Sequence, residues 1–141
     1  MADEAQINSS LSIKKGNVDY RSHPNSFKVS VVAANPTAGK PGGLTVPVAG
    51  VDIDLSGLVE PGLCRVENVD STNYVEIGLK YLGDFFHFME IGPGESYVFK
   101  ISRNYGEVDL STGTGTTGSN ATIHAIANGG PVEIKFEAFE K

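Results

Sequence analysis

Three histidines, His23, His87 and His124, are the side chains best suited to proton transfer or metal binding near neutral pH. No His-x-His pair occurs among them. His87 and His124 lie in separate apolar segments, so they can meet only across neighbouring strands. A metal centre would need that meeting and a converging carboxylate. Two surface or half-buried histidines are the expectation, and His23, beside Arg21 and Pro24, reads as a solvated loop residue. Asp52 and Asp54 alternate and share one strand face. They lack an evident third oxygen ligand for a cation and read as a solvated outer face. Gly113, Gly115 and Gly118 match the dinucleotide pattern G-x-G-x-x-G. That pattern works only between a strand and a helix N-terminus that meets the pyrophosphate. Here it lies in a tract of Ser, Thr, Gly and Asn over 111–120, which generates such matches freely. There is no Gly-x-Ser-x-Gly elbow, and nothing singles out two of Glu60, Glu76, Glu90 and Glu95 as a glycosidase pair. The single cysteine, Cys64, alternates with Val66 and reads as a small buried apolar residue. The residues therefore lead us to expect no catalytic centre, no cofactor and no resident metal.

The elements that would position these side chains are short strands. Within 63–101, four apolar segments (63–68, 74–82, 85–91, 97–101) are separated by Asp70-Ser71-Thr72-Asn73, by Gly83-Asp84 and by Gly92-Pro93-Gly94-Glu95. A strand about every ten residues, punctuated by Gly, Pro, Asn and Asp, is the pattern of antiparallel all-β domains. Upstream, 27–34 alternates as a strand, and 35–43 reads as a loop. Residues 44–55 resume with a parity switch at Ala49-Gly50 that suggests a bulge or a corner between sheets. Downstream, 121–127 and 131–139 alternate, with Asn128-Gly129-Gly130 between them as a hairpin turn. Residues 1–13 read as an N-terminal arm or edge strand, and 14–141 as a single β-sandwich domain. The expected architecture is all-β: a two-sheet antiparallel sandwich of jelly-roll type, with eight or nine strands. An immunoglobulin-like sandwich ranks second, because the chain has no Trp and only one Cys.

One strand stands out. In 85–91, Phe86 and Phe88 share one parity, while Phe85, His87, Met89 and Ile91 share the other. A strand apolar on both faces is either enclosed between layers or carries an interface. Phe85, His87, Met89 and Ile91 are therefore interface candidates, and Ile7 and Leu11 of the arm join them.

The totals exclude several partners. At 141 residues the chain is one domain in size, and its net charge of −6 with scattered Lys and Arg disfavours nucleic acid. No stretch approaches the ~20 apolar residues of a membrane helix. The start, MADEAQINSS, has neither the basic region nor the apolar run of a signal peptide.

Several stretches carry a resemblance. Gly62-Leu63 opens a strand. Glu67-Asn68-Val69-Asp70 and Asn73-Tyr74-Val75-Glu76-Ile77-Gly78 follow, then an apolar strand and the Gly92-Pro93-Gly94-Glu95 turn before 97–101. With Ser10-Leu11-Ser12-Ile13-Lys14-Lys15-Gly16-Asn17 and the closing strand after Gly129-Gly130, this order resembles small jelly-roll structural proteins of tailed bacteriophages. The resemblance implies a non-enzymatic virion component, foremost a capsid decoration or cement protein. It also implies a homo-oligomer, dimer or trimer, bound to the lattice of the major capsid protein. The place implied is the capsid surface, after synthesis in the host cytoplasm. A neck or tail component is the nearest alternative. A carbohydrate-binding sandwich using Tyr74, Tyr81 and Tyr105 is a further one, and so is a small metal enzyme built on His87 and His124.

Overall fold

The computed structural model describes residues 4–22, 24–30, 39–56, 58, 61–102 and 121–140. The N-terminal strands are β1 (Glu4–Ser9), β2 (Ser12–Lys15), β3 (Val18–Arg21) and β4 (Asn25–Ser30). Next come β5 (Gly39–Val46), β6 (Val51–Asp52), β7 (Pro61–Asn68) and β8 (Val75–Tyr81). The last four are β9 (Asp84–Ile91), β10 (Ser96–Lys100), β11 (Thr122–Ala127) and β12 (Val132–Glu140). The protein is all-β. Two antiparallel four-stranded sheets, ordered β10-β7-β12-β5 and β6-β11-β8-β9, pack as a β-sandwich.

Alternation creates the core. In β12, Val132, Ile134, Phe136 and Ala138 are buried while Glu133 and Lys135 meet solvent. The facing sheet contributes Val75, Ile77, Ile91, Ile123 and Ala125. Each such aliphatic side chain stabilises the fold by about 1.5–3 kcal/mol when fully enclosed. On the outer face of the first sheet, Arg65 pairs with Glu67 at 2.6 Å and with Glu137 at 3.5 Å, and Lys135 reaches Glu67 at 3.7 Å. These pairs hold the Glu67 carboxyl below its usual range, first through the Arg65 hydrogen bond.

The pairing of the eight sandwich strands is nested. β5 pairs β12, β6 pairs β11, β7 pairs β10 and β8 pairs β9, all antiparallel. The parity switch at Ala49-Gly50 is a corner: β5 lies in the first sheet and β6 in the second. Gly50 N–H donates to the Pro47 carbonyl to close it.

Two readings need correction. Of the expected loop over 35–43, residues 39–43 instead belong to β5, despite Pro41, Gly42 and Gly43. β5 is an edge strand, which tolerates proline because only one side of its ladder is used. Asn128-Gly129-Gly130 does not make a hairpin. It carries the chain from β11 in one sheet to β12 in the other. The Asp70–Asn73 and Gly92–Glu95 turns likewise cross between sheets, so among the described sandwich turns only Leu82-Gly83 closes a hairpin of paired neighbours. The crossings are held by side chains. Asn68, fully buried, donates from Nδ2 to the Asn73 and Ile91 carbonyls and accepts the Asp70 N–H at Oδ1. Asn128 accepts the Tyr74 N–H in the same manner.

Residues 4–30 pair among themselves. β1 pairs β4, and β2 pairs β3 around the Gly16-Asn17 turn, where Gly16 supplies the positive φ of 57°. Position 13, where the sequence reading ended the arm, lies inside β2. Of the strand expected over 27–34, residues 27–30 lie in β4, paired with β1 rather than with either four-stranded sheet, and 31–34 lie outside the described residues. His23, Glu60, Tyr105, residues 31–38 and the glycine tract over 111–120 lie outside the described residues.

Candidate functional site

The chemistry-bearing residues gather on the outer face of the second sheet. Pairing places Asp52, His124, Gly78 and His87 in one row across β6, β11, β8 and β9. Lys80 and Phe85 face each other in the next row. A β-bulge creates this arrangement. Ile77 faces Met89, but Gly78 faces His87, so Phe88 is one residue too many. The extra residue reverses the parity of what precedes it. Met89 and Ile91 turn inward, whereas Phe85 and His87 turn outward.

The interface candidates are therefore not one surface. Ile91 is fully enclosed in the core, and Met89 packs against it. Phe85 is half-buried and His87 exposed, both on the outer face. Ile7 is half-buried and lines a cleft of ≈ 210 Å³ with Leu63, Arg65, Val98 and Phe139 of the first sheet. Leu11 is exposed.

Phe85 is the centre of the outer face. Its ring lies 4.2 Å from that of His87 and 5.3 Å, edge-on, from that of His124. Gly78 makes room for it: a Cβ there would sit 2.0 Å from the Phe86 carbonyl oxygen and 2.8 Å from Phe85 Cε2. On its far side His124 is only 4% exposed. Its Nδ1 stands 2.6 Å from Asp52 Oδ1. A carboxylate only accepts, so Nδ1 carries the proton. The backbone of Gly50 closes against Nε2; a Cβ there would approach to 2.3 Å, and its φ of 83° also favours glycine. Asp52 accepts from Thr122 Oγ1 as well, at 3.1 Å. The His124 hydrogen bond, supported by that of Thr122 and by the charge of the nearby Lys80, holds the Asp52 carboxyl below its usual range against a smaller desolvation effect. On the near side His87 Nδ1 meets Glu76 Oε2 at 3.1 Å.

These are two carboxylate–imidazole pairs separated by a phenyl ring. The ring keeps the two histidines from converging on a common ligand. Among the described residues no group of three or more His, Cys, Asp or Glu is placed to hold a metal ion. The Thr122 hydroxyl is bound to the aspartate. The arrangement clamps β6, two residues long, onto β11. Asp54 is likewise engaged, accepting the Ser56 N–H at 2.8 Å.

Compared with family models, with curated proteins and with solved structures, the chain matches none.

Of the three tyrosines of the sugar-stacking alternative, two are described. Tyr74 precedes β8 and Tyr81 ends it, and their parities put them on opposite faces. What the residues did not announce is the exposed apolar surface elsewhere. The turn residue Leu82 is 77% exposed, Phe88 63% and Phe86 58%. In the N-terminal hairpin, every residue from 12 to 21 is exposed. Its pairing puts Ile13 opposite Tyr20 and Lys15 opposite Val18 on one face. Alternation within 11–21 was the available signal for that face.

Proposed function

We propose that this protein is a structural virion component of a tailed bacteriophage, a decoration or cement protein that binds the capsid shell as a homo-oligomer. The observation that carries the reading is the hairpin over 11–21, whose apolar face of Leu11, Ile13, Val18 and Tyr20 is exposed. A two-stranded hairpin is marginally stable by itself in water, and an apolar face on it calls for a partner surface. The sandwich offers the rigid base that such an arm needs. The nested pairing supports a jelly-roll reading, in which a long hairpin is wound so that first and last strands meet. That order supports the resemblance noted in the sequence. On a repeating lattice, weak contacts of many copies add.

Sedimentation tests this reading. Purified protein is mixed with capsid shells lacking it and spun through a cushion. Saturable cosedimentation at a fixed ratio to the major capsid protein is expected. No binding to shells, or binding that never saturates, refutes the decoration role.

A further inference from the structure

The two pairs of N-terminal strands are halves of one long hairpin. Ser9 faces Asn25 at the end of β1–β4, and Ser12 faces Arg21 at the start of β2–β3. Between these pairs, residues 10–11 stand against 22–24, so one strand carries one residue more. Leu11 and Ser22 tie the joint. The Leu11 N–H donates to Ser22 Oγ at 2.7 Å, and the Leu11 carbonyl accepts the Ser22 N–H at 2.8 Å. Residues 4–30 are thus a single two-stranded ribbon, closed at its tip by the Gly16-Asn17 turn.

This ribbon has no third strand. Among the described residues, no backbone ladder joins it to either four-stranded sheet. Its seat on the sandwich is made by side chains, at the cleft where Ile7 meets Leu63, Val98 and Phe139. Leu63 marks the seat. In β7, Cys64 and Val66 belong to the core cluster, whereas Leu63 and Arg65 have the opposite parity. Leu63 is nonetheless buried, and it is the one buried apolar side chain among the described residues that lies outside that cluster. The ribbon over it accounts for its burial. The seat is narrow. Gln6 and Asn8, which also line the cleft, are exposed, and so is Phe27, opposite Ile7 in the ladder. About 210 Å³ stays open between ribbon and sheet.

We propose that residues 4–30 are one order–disorder unit, kept folded by the seating of Ile7 over Leu63. A two-stranded ribbon is marginally stable by itself in water, so lifting it from the sandwich and melting it are one event. The exposed apolar face at the tip, over 11–21, is therefore shaped by a contact at the other end of the ribbon. Any partner that binds the folded tip more tightly than the melted one draws the ribbon into its seat. The inference concerns the free protein and stands apart from shell binding, so the two can fail separately.

The test is amide hydrogen exchange of the full chain, read residue by residue by NMR, for the wild type and two variants. In the wild type, the ribbon amides of 5–9, 12–21 and 25–30 are expected to share one protection level, about 100-fold or more below that of the central strands β8 and β12. Ile7→Ser removes the seated side chain and should speed exchange about tenfold along the whole ribbon, 12–21 included, with β8 and β12 unchanged. Leu63→Ala alters no residue of the ribbon, yet should speed the same amides together, which separates loss of the seat from loss of strand propensity within the ribbon. Ribbon amides with no protection in the wild type, or with the protection of β8 and β12, overturn the proposal. So does an Ile7→Ser effect confined to β1 and β4, or a Leu63→Ala variant whose ribbon exchanges as in the wild type.

Discussion

Replacing Asn68 by alanine should cost the fold about 3 kcal/mol. The side chain is fully buried at the crossing from β7 to β8 and makes three hydrogen bonds, two donated and one accepted. Each contributes about 0.5–1.5 kcal/mol net, and a partner left buried without a bond sits at the upper end of that range. Water entering the vacated space would offset part of the loss, while the small cavity would add a little. A loss of about 3 kcal/mol in a domain of this size lowers Tm by about 6–12 °C. Urea unfolding followed by circular dichroism gives the difference directly, provided the slope m is unchanged. Asn68→Asp is the sharper companion. Its carboxylate keeps the Asp70 N–H bond but faces the Asn73 and Ile91 carbonyls with no proton to give. N68D should therefore be less stable than N68A at pH 7 and should recover as the pH falls and the carboxyl protonates. A loss below about 1 kcal/mol for N68A, or equal stability of both variants at pH 7, would refute the reasoning, since net hydrogen-bond values of this kind leave no room for it.

Other perturbations test the outer face and the core. Gly78→Ala places a Cβ 2.0 Å from the Phe86 carbonyl, so β8 and β9 must part; a loss above about 3 kcal/mol is expected from unfolding curves, and a near-neutral result would contradict the geometry. The Asp52 carboxyl has a depressed folded pKa, so its pairing stabilises the fold above the unfolded value near ~4 and that stability is lost as pH falls through the folded value. His124→Ala should raise the Asp52 carboxyl toward the usual range in a carbon-detected NMR titration, and the stability gap between variant and wild type should narrow below about pH 4. An unmoved Asp52 titration would sink the pairing. Burial pushes the Cys64 thiol up to about 12, so it should resist a thiol reagent at pH 8 until the protein unfolds. Rapid labelling of the folded protein would show that the sandwich is not closed over it.

Much of the sandwich was legible because its strands alternate cleanly. β12 reads inward and outward as its sequence does, and the parity switch at Ala49-Gly50 marked the corner between sheets. Turn residues marked where strands end but not where the chain goes next. Asn-Gly-Gly can serve a tight reversal within a sheet or a crossing between sheets; here only Gly129 of the three takes a positive φ, 67°, where a two-residue I′ hairpin needs a left-handed pair. Only long-range pairing decides, and it sent Asn128-Gly129-Gly130 across. The face of Phe85 and His87 was lost to one extra residue, Phe88, since a bulge leaves no local sequence mark while reversing every side chain beyond it. Pro41 hid β5 for a different reason: proline argues against a central strand, and β5 is an edge. His124 and Asp52 lie 72 residues apart, and nothing short-range announces their contact.

Cryo-electron microscopy of the parent particle tests the central claim most directly. A capsid-surface role predicts density for this β-sandwich at regular lattice positions on the shell, with the 11–21 hairpin in a protein contact. A particle without that density, or with it only at the neck or tail, would contradict the decoration role.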